Sequence, residues 1–375
     1  MARETSPRVV VAPDKFKGSL TAREAAAALA AGIAHARPDA EITQLLVADG
    51  GDGTVDAFVA AGWERVELTA PGPTGDPEPT AYAMRDAIAV VELAAVVGLV
   101  KLPGDDPDPL GASTYGLGVV IAHALARGAT EVIIGLGGSA STDGGAGMLQ
   151  ALGARILDAE GRELALGGAA LAYATEFDRS GLDSHIAAAR FTLACDVDNP
   201  LLGPTGATAV YGPQKGATAG DLPILEAALA NWSRLVGPDF ADLPGAGAAG
   251  GTGFGALAVL GAQVHSGIEV ILDLLDFRTL VGDATLVITG EGSLDSQSLH
   301  GKAPIGVCSV AQAAGVPAVA AVGRTTLAAD EIRSAGFAAC YALADLEPDP
   351  AQSMSNAGPL LQKVGEQIAT EHLPA

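Results

Sequence analysis

Short β-branched runs alternate with alanine-rich stretches along the chain, and the two textures predict different elements. Residues 9–12, 42–48, 87–92, 131–136, 191–195, 285–289 and 318–322 read as strands; residues 21–36, 54–61, 117–127 and 303–314 read as helices. Thr21 and Glu24 make a capping-box pair at the first helix, and Pro38 follows its end. Strand and helix in alternation point to an α/β protein with largely parallel sheets. Residues 154–164 (ARILDAEGREL) instead read as a β-hairpin turning at Glu160-Gly161, so the chain is not a pure βαβ repeat. Residues 71–79 (PGPTGDPEP) hold turn residues without periodicity and are the predicted domain boundary; residues 244–255 (PGAGAAGGTGFG) read as a flexible glycine tract. No solenoid-type repeat is present.

Composition narrows the picture. A chain of 375 residues predicts two domains, and 49% hydrophobic residues are ample for a core. The formal charge of −23 argues against nucleic acid or an anionic membrane as partner, because both demand clustered Lys and Arg; it also serves solubility. Cys195, Cys308 and Cys340 are far apart and form neither a disulfide framework nor a zinc motif. With no secretory signal and no bilayer-spanning stretch, the expectation is a soluble cytoplasmic protein that takes small molecules, with homo-oligomerisation left open.

Lysine carries the most chemical information. Only six occur, and Lys15, Lys17, Lys215 and Lys302 all fall in short loops punctuated by Gly or Pro. Any one could be a solvated loop residue, but together, after strands of so acidic a chain, they suggest anion capture. Residues 13–19 (PDKFKGS) lead from the first strand into the capped helix, where free N–H groups and the dipole favour an anion. Residues 49–54 (DGGDGT) offer Asp49 at a strand end and Gly50 and Gly51 for close backbone approach, while Asp52 reads equally as a helix cap. Residues 135–147 (GLGGSASTDGGAG) read as a phosphate cradle built from Gly137, Gly138 and the hydroxyls of Ser139, Ser141 and Thr142 at a helix start. Ala140 replaces the third glycine of a dinucleotide fingerprint, which weakens an oxidoreductase reading. In CDVDNPLLGP (195–204), Asp196 and Asp198 suit a general base or Mg²⁺ coordination, with an Asx turn before Pro200 as the alternative; Lys215 follows in YGPQKG. TGEGSLDSQSLHGKA (289–303) brings Glu291, Asp295 and Lys302 into one acid–base set, but it lacks the glycine and hydroxyl residues of an ATPase phosphate loop.

In content and order these blocks resemble the bacterial glycerate kinase family, type I, over almost the whole chain. ADGGDGT, GLGGSASTDGGAGML, CDVDNPLLGP, YGPQKGA, PGAGAAGG and TGEGSLDSQSLHGKAP carry the likeness. Asp52 stands where Glu is common and Ser293 where Arg is common, the latter removing a cation from its loop. The resemblance implies two α/β domains, the second (79–280) inserted into a flavodoxin-like or Rossmann-like first (1–78 plus 281–375). It implies ATP as donor, Mg²⁺ as cofactor and D-glycerate as acceptor, with 2-phosphoglycerate as product and 3-phosphoglycerate as the alternative. Asp14, Lys15, Lys17, Asp49, Gly50 and Gly51 are then expected at the substrate. Gly137, Gly138, Ser139, Ser141 and Lys215 are expected at ATP. Asp196, Asp295 and Lys302 are the catalytic candidates, with Asp196 and Asp198 at the metal. The rivals are an NAD(P)-dependent hydroxy-acid dehydrogenase and a non-catalytic regulator that binds the same ligands.

Overall fold

The computed structural model describes residues 6–296 and 298–374. The chain divides into two compact units. Unit one takes the chain up to Asp49, Asp56–Gly62 and the chain from Ile268 onward; unit two takes Gly50–Val55 and Trp63–Gly267. The segment 71–79, expected to be the domain boundary, is a hairpin inside unit two. Glu64–Pro71 and Pro77–Arg85 pair antiparallel as far as Pro71↔Pro77, and the Gly72 N–H donates to the Asp76 carbonyl at 2.7 Å. A tight hairpin draws on the same Pro, Gly and Asp residues as a linker, so the composition could not separate the two.

Unit one holds a five-stranded sheet in the order Ala339–Ala342, Ala318–Val322, Leu286–Thr289, Arg8–Val11, Glu41–Gln44. Every neighbouring pair is parallel. Numbered along the unit's own strands, this is the flavodoxin-like order 2-1-3-4-5. Leu286–Thr289 and Ala318–Val322 are buried at every residue, as central strands covered on both faces must be. Ala22–Ala36 and Ala357–His372 pack together over one face, and Ala303–Ala313 packs on the two central strands. The expected capping box is present, with Thr21 Oγ1 accepting from Glu24 N and Glu24 Oε2 from Thr21 N.

Unit two holds a six-stranded sheet in the order Gln263–His265, Arg190–Ala194, Glu131–Gly135, Ile88–Glu92, Pro77–Arg85, Glu64–Pro71. The first four run parallel and the last two antiparallel. Its core centres on Leu117, Ile121, Leu229, Trp232 and Phe254, all with no exposed surface. The hairpin read at 154–164 closes at Gly161, with Leu164 N–H on the Ile156 carbonyl, while Arg155–Leu157 also pairs with Glu176–Asp178. The glycine tract 244–255, read as flexible, is largely buried and closely packed. It ends in the buried helix Ala248–Gly255, where Ala249, Gly250 and Gly251 take positive φ. A Cβ on Gly250 would stand 2.0 Å from the Ser141 carbonyl oxygen, so glycine here buys closeness rather than motion.

Contact between the two long helices of unit one depends on bare backbone. A Cβ on Gly32 would lie 1.9 Å from the Gln362 carbonyl oxygen, and one on Gly365 would lie 2.4 Å from that of Leu29. Gly32→Val should therefore destabilise unit one by about 1–3 kcal/mol through overpacking, measured by urea denaturation. A change below about 0.5 kcal/mol would show that the helices move apart freely.

Candidate active site

In an open parallel sheet the ligand crevice lies beyond the carboxyl ends of the strands, at the point where strand order reverses. In unit one that point falls between Arg8–Val11 and Leu286–Thr289. The two strand ends are tied together there: Ala12 N–H donates to the Ile288 carbonyl at 2.7 Å, Asp14 N–H to Gly290 at 2.8 Å, and the buried Thr289 hydroxyl to the Ala12 carbonyl at 2.8 Å. Asp14 to Lys17 leave one strand and Gly290 to Lys302 the other. Phe16, buried in the core, anchors the first loop through a tight turn to Leu20, with Gly18 at φ 83. It leaves Lys15 part-buried and Lys17 exposed.

The result is a concentration of carboxylates. Burial pushes Asp14 up to about 7, and the negative charges of Asp49 and Glu291 push the same way; the Lys15 N–H and ammonium oppose them. Glu291 is also raised, first by burial, against the Ser298 hydrogen bond and the Lys302 charge, and with Asp295 and Asp49 adding to the rise. Glu291 Oε1 is buried with no hydrogen-bond partner. Asp295 and Ser298 lock the loop by reciprocal bonds of 3.2 Å, and Lys302 stands at the N-cap of Ala303–Ala313. Thus Asp14, Lys15, Asp49, Asp295 and Lys302, picked from sequence, are brought together in unit one, with Glu291 at their centre.

In unit two the loop Gly50–Gly53 packs across the carboxyl ends of the parallel strands. A Cβ on Gly50 would lie 2.7 Å from the Ala194 carbonyl oxygen, and one on Gly137 would lie 2.5 Å from Gly51 Cα. Gly50 and Gly137 are therefore required for packing. Glu92, which sequence reasoning missed, is buried and accepts from Gly53 N (3.2 Å) and Val55 N (3.0 Å). In the loop 135–147 only Gly137 and Gly138 reach the surface; Ser139, Ser141, Thr142 and Asp143 are buried. Ser139 and Ser141 bond one another. The N–H groups expected to cradle phosphate are already taken, because Asp143 accepts from Thr114 N and Oγ1 (both 2.8 Å), Ser113 Oγ, Gly145 N and Gly147 N. No local sequence signal distinguishes this Asp from a surface turn residue; its partners at 113 and 114 come from a distant helix start.

Lys215 is likewise drawn inside. It is 2% exposed, its Nζ donates to the Ser141 carbonyl, and glycine at 250 makes the room. Burial lowers its pKa to about 7, with Asp143 opposing. Its surroundings are those of an internal tie, whereas the sequence suggested a place at a phosphate. Asp196 and Asp198 are exposed beyond Arg190–Ala194, and Asp196 Oδ1 accepts from Ser266 Oγ and Gly267 N, each at 2.9 Å. Among the described residues no three His, Cys, Asp or Glu side chains form a metal-holding cluster, no helix is long and apolar enough to cross a membrane, and the cysteines are free.

A crevice of carboxylates and lysines on a flavodoxin-like sheet, joined to a second α/β unit with glycine-built strand ends, is an architecture suited to group transfer between small anions. The glycerate kinase family model matches residues 9–373, and the chain belongs to that family, hence to the kinases. It is 42% identical to glycerate kinase of Bacillus subtilis, over 96% of this chain and 97% of that protein. It is 44% identical to glycerate 2-kinase of Escherichia coli, over 85% and 86%. A crystal structure of a protein assigned as glycerate kinase 2 from Salmonella typhimurium LT2 matches with a TM-score of 0.83 at 40% identity, covering 97% and 98% of the two chains.

The buried Lys215 sets a pH signature. Its folded pKa, about 7, lies below the unfolded value of 10.5, so between those limits the folded state binds fewer protons. Stability should rise as pH goes from about 7 toward 10.5. Lys215→Met should lose that rise, as read from urea midpoints at pH 7 and pH 9.5. Equal pH slopes in the two proteins would show that burial does not depress the Lys215 pKa and that the side chain keeps its proton in the fold.

Proposed function

We propose that the chain transfers the γ-phosphoryl group of Mg-ATP to the 2-hydroxyl of D-glycerate. The observation that carries this reading is the set of carboxylates at the strand-order reversal of unit one, with a carboxyl of pKa about 7 at Asp14, flanked by Lys15 and Lys302. Phosphoryl transfer asks for positioning and for cations around the migrating group. Lys15 and Lys17 hold the glycerate carboxylate, and Lys302 receives the phosphoryl charge. A general base works best with a pKa near the operating pH, which favours Asp14 over Asp196, whose Oδ1 already serves Ser266 and Gly267. Asp295, fixed by Ser298, orients the loop that carries Lys302.

The fit of Mg²⁺ rests on donor chemistry. It favours hard carboxylate oxygens and keeps most of its other ligands from water and nucleotide phosphates, so the exposed pair Asp196 and Asp198 suffices to hold it. When bound there it would supply charge neutralisation of the ATP phosphates. Gly137 and Gly138, the accessible tip of their loop, meet the nucleotide. Occupation of the neighbouring N–H groups by Asp143 speaks for this and against a dinucleotide cofactor on the same loop. A cytoplasmic setting agrees with the three free thiols.

The direct test is a coupled ADP assay with D-glycerate, followed by phosphorus NMR of the product. A 2-phosphate supports the reading, a 3-phosphate corrects the regiochemistry, and no ADP formation sinks it. Asp14→Asn should lower kcat by about 10²–10⁴-fold and abolish a rise of kcat/KM through about pH 7. Because the Asp14 pKa is raised above its unfolded value, the wild type loses stability as pH climbs from about 4 to about 7. Asp14→Asn should thus be the more stable protein at pH 8, by on the order of 1 kcal/mol or more. Full activity in the variant would remove Asp14 as base.

A further inference from the structure

Arg324 has no part in the mechanism above, yet its setting is unusual. It lies in a two-residue parallel ladder, Ser293–Leu294 against Arg324–Thr325, beyond the carboxyl ends of the two central strands of unit one. Its backbone is held from several sides. Gly323 N–H donates to the Glu291 carbonyl at 3.0 Å and Arg324 N–H to the Gly292 carbonyl at 3.1 Å. Ala344 N–H donates to the Gly323 carbonyl at 3.0 Å, and the Thr325 hydroxyl to the Leu294 carbonyl at 2.9 Å. The strand end that presents Glu291, Asp295 and Lys302 is therefore fixed against the one that presents Arg324.

The side chain is exposed, and its Nε donates to Ser293 Oγ at 3.3 Å. It makes no ion pair among the described residues, although the chain carries 44 acidic residues against 21 basic and arginines such as Arg8, Arg127, Arg190 and Arg278 all find carboxylates. A guanidinium has five N–H donors in a rigid fork. One is committed within the chain, at a place where the fold gathers negative charge.

We propose that Arg324 binds an oxyanion of the reactants at the unit-one crevice, through its remaining N–H fork. The chemistry is shared by two sources, the phosphoryl oxygens of the nucleotide and the carboxylate of the hydroxy acid. The proposal rests on the kinase reading and adds a cation to it. Arg324→Gln and Arg324→Lys would be assayed with MgATP and D-glycerate each varied, alongside thermal melting. The expected result is a loss of about 10–100-fold in kcat/KM for Gln, in line with losing a hydrogen bond to a charged group, with an unchanged melting temperature. Lys should recover part of it, since it keeps the charge but not the fork. A loss confined to the KM for D-glycerate assigns the carboxylate; a loss in kcat or in the KM for ATP assigns the phosphoryl group. Arg324→Gln within about two-fold of wild type in every parameter overturns the proposal, as does a loss explained by unfolding alone. Should the wild type fail to phosphorylate D-glycerate, the kinase reading falls separately. Calorimetric titration of both proteins with MgATP and with D-glycerate then decides Arg324, and equal affinities overturn it.

Discussion

Unit one depends on a glycine at position 290. Its carbonyl receives the Asp14 N–H, which joins the first strand of the chain to one near its far end. A Cβ there would stand 1.7 Å from the Ala321 carbonyl oxygen, so any other residue would push the ends of Leu286–Thr289 and Ala318–Val322 apart. Parallel strands deliver their loops to a single edge of the sheet. Once Gly290 lets three strand ends close up, Asp14, Glu291 and Arg324 share that edge without being neighbours in sequence.

That closeness is costly. Asp14, Asp49, Glu291 and Asp295 repel one another, and burial adds to the penalty. A fold selected for stability alone would place amides here. Lys15 and Lys302 offset the repulsion only in part, so the raised Asp14 and Glu291 persist. Perturbed carboxyls gathered where the strand order reverses are the kind of feature that clusters at functional sites, and under the proposed reading the same repulsion supplies a carboxyl able to take a proton.

Much of the fold was legible because its signals are local. The Thr21–Glu24 capping box lies within four residues, and the central strands of unit one announce themselves as unbroken apolar runs. The sequence also marked Asp14, Lys15, Asp49, Asp295 and Lys302, since charge after a strand in a Gly-punctuated loop is a local pattern too. It misjudged features whose meaning lies in a distant partner. Residues 71–79 have linker composition but a hairpin register, and 244–255 looks loose until the Ser141 and Gly245 carbonyls are seen to fill the space beside its glycines.

The loop 135–147 shows the same limit in chemical form. Its glycines and hydroxyls match a phosphate cradle, and in the fold the carboxyl group of Asp143 occupies it, with the buried Lys215 side chain tied to the Ser141 carbonyl of the same loop. A backbone that folds around an internal anion has the composition of one that binds an external anion, because both must present several N–H groups to one small charge. Only burial tells them apart: Asp143 has no exposed surface, whereas Gly138 is open. The hydrogen bonds of Asp143 and Lys215 hold the buried part of the loop, and Gly137 and Gly138 are left as its accessible tip.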